Sequence, residues 1–543
     1  MTRRVDQPGW RVGGSLARFD FDWSTTARGI RNVGAMITCP DSTDAELRAR
    51  FVRDGHLVVR TGLPDEFHQA VCAKIEAVFE REGNVGNNIL PRVPEIQKVY
   101  DDPAVAGALQ SLLGPGYIMN PHRHCHLNPP GGKGQSWHKD CYVFDHNLRH
   151  PRFRWVMAFY YPQDTTTDMG PTGVLPGQQW YRTISDPDPT QATEREDALS
   201  GGAGTVSIVH FDTWHRATAN RSARKRYMLK FQFARAAEPV PADGVDAADP
   251  VDWEQNGAVC DDVFRWLAGD KGVSREDAPI GDAVDTLRSG TSPQRARAAD
   301  TIARSGAAGD VVDELMSALA DDAEAVRLNA AYALAAAGEA GLPALAGDLR
   351  REAVASEPLA TAKTPDNAHG TNPTAPVASQ ALAVAAGGAS VAADLLDDGH
   401  WLVRAVAADA LGNMAGSASG LEDRLVYCAQ DEHWWVRRNA VEALGRGSQL
   451  SDAALEMVSR GIDDVDYRVR RNAAMALRAA GRVTDETVPA LGRMLEDENR
   501  YNRFYAANAL RDLVPVAEEA GRVLLDYLST SRWCPLTSAD DPY

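Results

Sequence analysis

The chain has 543 residues, a formal net charge of −18 and seven cysteines. That length holds more than one domain, and the acidity excludes broad, non-specific attraction to nucleic acid or to an anionic membrane surface. Cys39, Cys72, Cys125, Cys141, Cys260, Cys428 and Cys534 lack CxxC spacing, which points to reduced thiols and away from a disulfide framework or a zinc cluster. No apolar core follows Arg3 and Arg4, and no run of about 18 apolar residues offers a bilayer span. A cytoplasmic location without membrane contact is therefore expected.

Residues 1–40 read as a covering arm. Helical spacing begins near Ser42 or Asp44, either of which can cap it. Asp54-Gly55 then turns the chain into a β-like run, His56 to Arg60. Helices fit Pro64 to Arg81 and Pro103 to Leu113, and are expected to buttress a sheet. From Tyr117 the pattern changes to short strands separated by Pro and Gly, as in an all-β sandwich or barrel. His122, His124 and His126 fall on one face of such a strand, placed to line a polar barrel wall, contact substrate or bind a second metal.

The stretch Gln135-Ser-Trp-His-Lys-Asp140 organises the first half. Side chains two apart on a strand share a face, so His138 and Asp140 can reach one point while Lys139 turns away. An imidazole and a carboxylate make two thirds of the facial triad that holds non-haem Fe(II) and leaves coordination sites open. The third ligand is expected on a distant strand, and Thr205 to Arg216 offers His210 and His215. Phe153 to Tyr161 is a strand by its aromatic and β-branched content. Asp168 to Gly177 is a turn-rich loop for a barrel mouth, and Arg226 opens a returning strand.

Together, Trp-His-x-Asp, Asp168-Met-Gly-Pro-Thr-Gly-Val-Leu-Pro-Gly177 and Trp214-His-Arg-Ala-Thr-Ala-Asn-Arg-Ser222 with a following arginine resemble the phytanoyl-CoA dioxygenase family over roughly residues 45–270. The resemblance implies a double-stranded β-helix (jelly roll) core using Fe(II), 2-oxoglutarate and O2. In that family the distal ligand precedes the cosubstrate arginine by eleven residues, which fits both His215 with Arg226 and His210 with Arg221. The first pair is chosen because Arg221 falls within the Asn-x-Ser turn, and His210 is expected as a neighbour of the site. An arginine fork suits the C5 carboxylate of 2-oxoglutarate; Gln135 and Trp155 are further candidates for the cosubstrate pocket. Related halogenases have a small residue where Asp140 stands, so its carboxylate points to hydroxylation or another C–H oxidation.

Asp261 to Leu267 is expected to close a first domain, residues 1–275. Beyond residue 280 the composition turns to Ala, Leu, Asp and Arg with an internal period: Leu411, Leu444, Leu477 and Leu510 are 33 residues apart. An aspartate stands six before an arginine at Asp321/Arg327, Asp398/Arg404, Asp431/Arg437, Asp464/Arg470 and Asp497/Arg503. Such a period signals an α-solenoid, here over residues 280–528 with a tail 529–543. The segments resemble HEAT repeats, whose Asp and Arg form a ladder between units. Residues 352–380 interrupt the array as a loop. His400-Trp401, His433-Trp434-Trp435, Tyr467 and Tyr501 should line one edge of it as an aromatic ladder.

The fold expected is thus multi-domain α+β. The function expected is an Fe(II)/2-oxoglutarate dioxygenase acting on a small organic molecule, with succinate and CO2 released. The repeats offer a surface for a protein or carrier partner. The alternative is a HEAT-repeat scaffold with a carrier-bound substrate or a vestigial oxygenase domain. A fragment ending near residue 275 keeps every candidate ligand and is expected to bind metal and cosubstrate.

Overall fold

A computed structural model describes residues 31–32, 44–140, 149–181, 196–240, 251, 253, 255–270, 273, 279–361, 376–414, 420–447 and 450–530. Apart from Arg31–Asn32, the expected N-terminal arm lies outside these residues, as do the tail beyond residue 530 and the proposed caps before Asp44.

The larger sheet is antiparallel, in the order β2-β7-β4-β9-β3. Its strands are β2 (His56–Arg60), β3 (Ile118–Asn128), β4 (Trp155–Tyr161), β7 (Thr205–His210) and β9 (Arg226–Ala234). The smaller sheet has the order β1-β6-β5-β8. It comprises β1 (Arg31–Asn32), β5 (Thr172–Val174), β6 (Asp197–Leu199) and β8 (His215–Ala217). The mouth loop expected over Asp168 to Gly177 therefore contains a strand, β5. Strand β4 reads as continuously apolar because it is central and covered on both faces, and all seven of its residues are buried.

Helices cover the outer face of the larger sheet, as expected. They are α1 (Asp44–Asp54), α2 (Asp65–Glu82), α3 (Ile89–Arg92), α4 (Ile96–Tyr100) and α5 (Pro103–Leu113). Tyr100 stacks on Phe231 with ring centroids 4.6 Å apart, and Phe79 meets the Tyr227 ring edge-on at 5.4 Å. Phe231 and Tyr227 take the outer side of β9, so Arg226, Met228, Lys230 and Gln232 alternate inward between the sheets.

After α6 (Gly257–Leu267) the chain is helical. One row packs in succession: α8 (Ser292–Arg304), α10 (Glu324–Ala336), α12 (Val377–Leu382), α14 (Trp401–Asn413), α16 (Trp434–Arg446), α18 (Tyr467–Ala480) and α20 (Arg500–Leu513). Small residues permit the close approach: a Cβ on Gly445 would lie 2.5 Å from that of Ala476. The other layer is α7 (Gly281–Ser289), α9 (Val312–Ala318), α11 (Leu342–Thr361), α13 (Gly388–Leu395), α15 (Glu422–Cys428), α17 (Asp452–Arg460), α19 (Thr487–Met494) and α21 (Glu518–Thr530). Residues 352–361, expected in a loop, continue α11. Residues 377–380 of the same expected loop belong to α12, and residues 362–375 lie outside the described residues.

The arginines bridge consecutive repeats. Arg295 pairs with Asp321, Arg404 with Asp431, Arg437 with Asp464 and Arg470 with Asp497, at 2.6–2.8 Å. Arg404, Arg437, Arg470 and Arg503 each donate Nη1 to the carbonyl of the aspartate six residues earlier. The ladder breaks at the interruption: Arg327 reaches Glu352 at 3.8 Å, and Asp398 is taken by Arg350.

The inner row is packed against the β-domain. Asn329 of α10 donates to Asn256 Oδ1 (2.9 Å), Arg152 to the carbonyl of Asn413 in α14 (2.5 Å) and Arg154 to Glu442 of α16 (2.6 Å). Arg478 of α18 donates to the Gly116 carbonyl at 2.9 Å, and Tyr501 of α20 lies 3.3 Å from His122 Nδ1.

Candidate metal and cosubstrate site

His138 and Asp140 sit on the segment that runs beside β8, held by paired backbone hydrogen bonds between His138 and His215, each 3.0 Å. This bridge brings the pair to the histidine opening β8. Ligand atoms of His138, Asp140 and His215 all lie within 4.8 Å of one another, the only such group of His, Cys, Asp or Glu among the described residues. His215 Nε2 is 3.8 Å from Asp140 Oδ1. Each histidine ties Nδ1 to a carbonyl two residues back, His138 to Ser136 and His215 to Thr213, both at 3.0 Å. That second contact fixes the proton on Nδ1 and leaves the Nε2 lone pair free for a metal. Burial pushes the His215 imidazole down to about 4 against the pull of Asp140, which keeps it neutral near pH 7.

Asp140 is held from the opposite side. Lys230 of β9 donates to Oδ2 at 2.6 Å. Burial alone would raise this carboxyl, but Lys230, His215 and His138 hold it well below the usual carboxylate range. Lys139 turns away, donating to the Gln179 carbonyl at 3.2 Å.

Arg226 opens β9 and is 1% exposed. Its Nε and Nη2 donate to the Gly170 carbonyl at 3.0 and 2.8 Å, while Nη1 is buried without a hydrogen-bond partner. A buried guanidinium nitrogen left in this way matches a carboxylate ligand, since leaving it unmade is costly. Gly170 has φ +72°, and a Cβ there would strike Asn128 Nδ2 and the Thr218 carbonyl at 2.4 and 2.6 Å. This explains a glycine in Asp-Met-Gly-Pro: its carbonyl aims Arg226, and no side chain fits. Tyr161 and Thr172, hydrogen-bonded at 3.3 Å, belong to the same end of the site.

Other candidates fall elsewhere. Trp155 pairs with Ala234, at the opposite end of β9 from Arg226, roughly 27 Å along the strand; it does not share a cosubstrate pocket with that arginine. Gln135 is exposed and its Oε1 accepts from Ala217 N at 3.2 Å, bracing the segment to β8. His210 is not one of the converging ligands, and it shares a small cavity with Lys139, the residue between His138 and Asp140. It packs in a box of Phe51, Phe153 and Trp180, with Nδ1 accepting from Asp212 N at 3.1 Å. Arg221 is exposed in the turn. His124 and His126 share the inward face of β3 and His122 lies in its bulge, and the three do not converge on one point.

Residues 51–228 match the family model of phytanoyl-CoA dioxygenase. These residues form a phytanoyl-CoA dioxygenase family domain. Residues 389–478 match the model of HEAT repeats, so the family domain is joined to a HEAT-repeat region. The donor set of the family domain suits Fe(II) with 2-oxoglutarate. Among solved structures, the chain is similar to the non-heme alpha ketoglutarate dependent carbocyclase SnoK from nogalamycin biosynthesis, at 18% identity over 38% of this chain and 88% of that one, TM-score 0.30. It is also similar to the non-heme monooxygenase ThoJ in a nickel complex (16%, 46% and 98%, TM-score 0.29). A third is AviO1 from Streptomyces viridochromogenes (16%, 35% and 95%, TM-score 0.29). No curated protein matches the chain.

Proposed function

We propose that the chain is an Fe(II)- and 2-oxoglutarate-dependent dioxygenase that hydroxylates, or otherwise oxidises a C–H bond of, a small organic molecule. The observation carrying this reading is the convergence of His138, Asp140 and His215 in one barrel with a buried Arg226 whose Nη1 lacks a protein partner. Bound iron with 2-oxoglutarate and O2 supplies the oxidising chemistry, with succinate and CO2 as co-products.

The chain's own residues bind and orient. His138 and His215 present Nε2, each with Nδ1 tied to a carbonyl, and Asp140 supplies the negative charge that favours a divalent cation. Lys230 fixes Asp140 Oδ2, so that Oδ1 faces His215. Arg226 receives the far carboxylate of the cosubstrate. Phe159, whose ring lies 6.2 Å from that of His215, and the buried Met157 and Met228 keep water from the inner wall. The carboxylate at Asp140 leaves no ligand position for a halide in its place, which favours oxygen transfer over halogenation.

The test is succinate release by the purified full chain with Fe(II), 2-oxoglutarate and a metabolite library. Release stimulated by one compound class, absent in His138→Ala, is expected. A chain that binds neither iron nor 2-oxoglutarate would overturn the reading.

A further inference from the structure

The register of β3 against β9 orders the interior of the barrel. Asn128 lies opposite Arg226, His126 opposite Met228 and His124 opposite Lys230, with His122 beyond a bulge. Arg226 marks the cosubstrate end, and Lys230, bonded to Asp140, marks the metal ligands about 13 Å along the strand. Along β3 away from Arg226, His124 is followed by His122, and His122 meets the HEAT region.

There Tyr501 Oη lies 3.3 Å from His122 Nδ1. Arg500 donates Nη2 to Tyr501 Oη at 3.1 Å and its guanidinium stands 4.9 Å over the same ring. Arg471 approaches the rings of Tyr501 and Tyr467 at 5.6 and 5.4 Å. Tyr501 thus links Arg500 to His122 on the inner side of β3. Asp140 is already committed to Lys230. Farther along this edge Arg468, stacked 3.3 Å over Trp434, pairs with Asp466 at 2.6 Å. No carboxylate among the described residues pairs with Arg500. Inside the barrel, His126 Nε2 is buried without a partner, an independent sign that the inner wall faces a ligand.

We propose that the substrate is a small organic anion, a carboxylate or phosphate, held between the β3 histidines and the first turns of α18 and α20, with Arg500 as its anchor. The inference rests on the oxygenase reading for what happens next, but its binding claim stands apart from it. Arginine stacked on tyrosine presents a planar donor fork beside an aromatic face, which suits an acidic group on a flat, unsaturated body. The HEAT region then forms one wall of the active site.

The probe is 1-naphthoate against its neutral amide, 1-naphthamide, titrated into the full chain by calorimetry. Naphthoate should bind at least tenfold tighter than the amide. Arg500→Gln should remove that preference while leaving the amide unchanged, and Arg226→Ala should leave both probes unchanged. No binding of naphthoate, equal affinity for the pair, an undiminished preference in Arg500→Gln, or loss of naphthoate in Arg226→Ala would each overturn the proposal. Binding of 2-oxoglutarate with Fe(II), measured in parallel on wild type, separates the two ideas. If it is intact while naphthoate fails, the anion proposal alone falls; if it is absent, the oxygenase reading falls.

Discussion

His215 and His210 stand five residues apart and are equally plausible from spacing, yet the fold sends them to opposite sides of a sheet. His215→Ala should therefore lose bound iron, and His210→Ala should keep it; metal analysis of both proteins decides, and the reverse result would exchange their roles. Arg226→Ala should weaken 2-oxoglutarate at least tenfold with iron unchanged, because a charge-assisted hydrogen bond contributes roughly 1.5–3 kcal/mol. Equal cosubstrate affinity in the two proteins would rule that assignment out. His210 also has a pH signature. Burial, with Lys139 and Arg149 and against Asp212, pushes it down to about 4, below the roughly 6.5 of an unfolded chain. The fold thus prefers the neutral ring, and this contribution is present above about pH 6.5 and lost as pH falls towards 4. His210→Phe should melt with a flatter pH dependence across that window than wild type, and an equally steep loss would count against it. The ligand pair was legible because a strand repeats every two residues. Lys230, Asn128 and Gly170 were not, since only the register of β9 with β3 and the turn before β5 bring them to the site. Trp155 misled for the same reason: sequence distance from His138 says nothing of position along β9.

Among elements, the repeat ladder was the most readable. A 33-residue period with Asp and Arg six apart is enough to place the bridges, because each arginine must satisfy both its own turn and the next repeat. Asp464 shows the double duty, accepting from Arg437 at 2.7 Å and capping Asp466 N at 2.8 Å. Asp464→Asn should lower stability by about 1–3 kcal/mol. Arg350→Ala, which removes a pair whose arginine is half exposed, should cost less than about 1 kcal/mol. Urea unfolding of both compares them; equal losses would show that ladder membership confers nothing beyond surface pairing. The extent of the interruption was not legible, since Ala-rich residues 352–361 carry no sign of whether a helix continues or a loop begins.

At the scale of the molecule, the expected independence of the first 275 residues meets a physical objection. Arg154 gives its charge to Glu442, and Glu442 is shared with Arg438 and Arg446. Burial would raise this carboxyl, but the three guanidinium groups hold it well below the usual range. Arg446 also reaches Glu238 at 3.6 Å, and α6 packs on α8 and α10. A fragment ending near residue 275 should therefore melt well below the full chain or aggregate, as thermal unfolding and size-exclusion chromatography would show. A monomeric fragment of undiminished stability would refute this. The inner helix row is occupied by the barrel, so a protein or carrier partner would have to use the outer layer. Glu442 carries one more consequence. Three cations from two domains lean on a single carboxylate, so a neutral residue there strands positive charge on both sides at once. A substitution in either domain at this contact therefore changes the charge balance of the other as well.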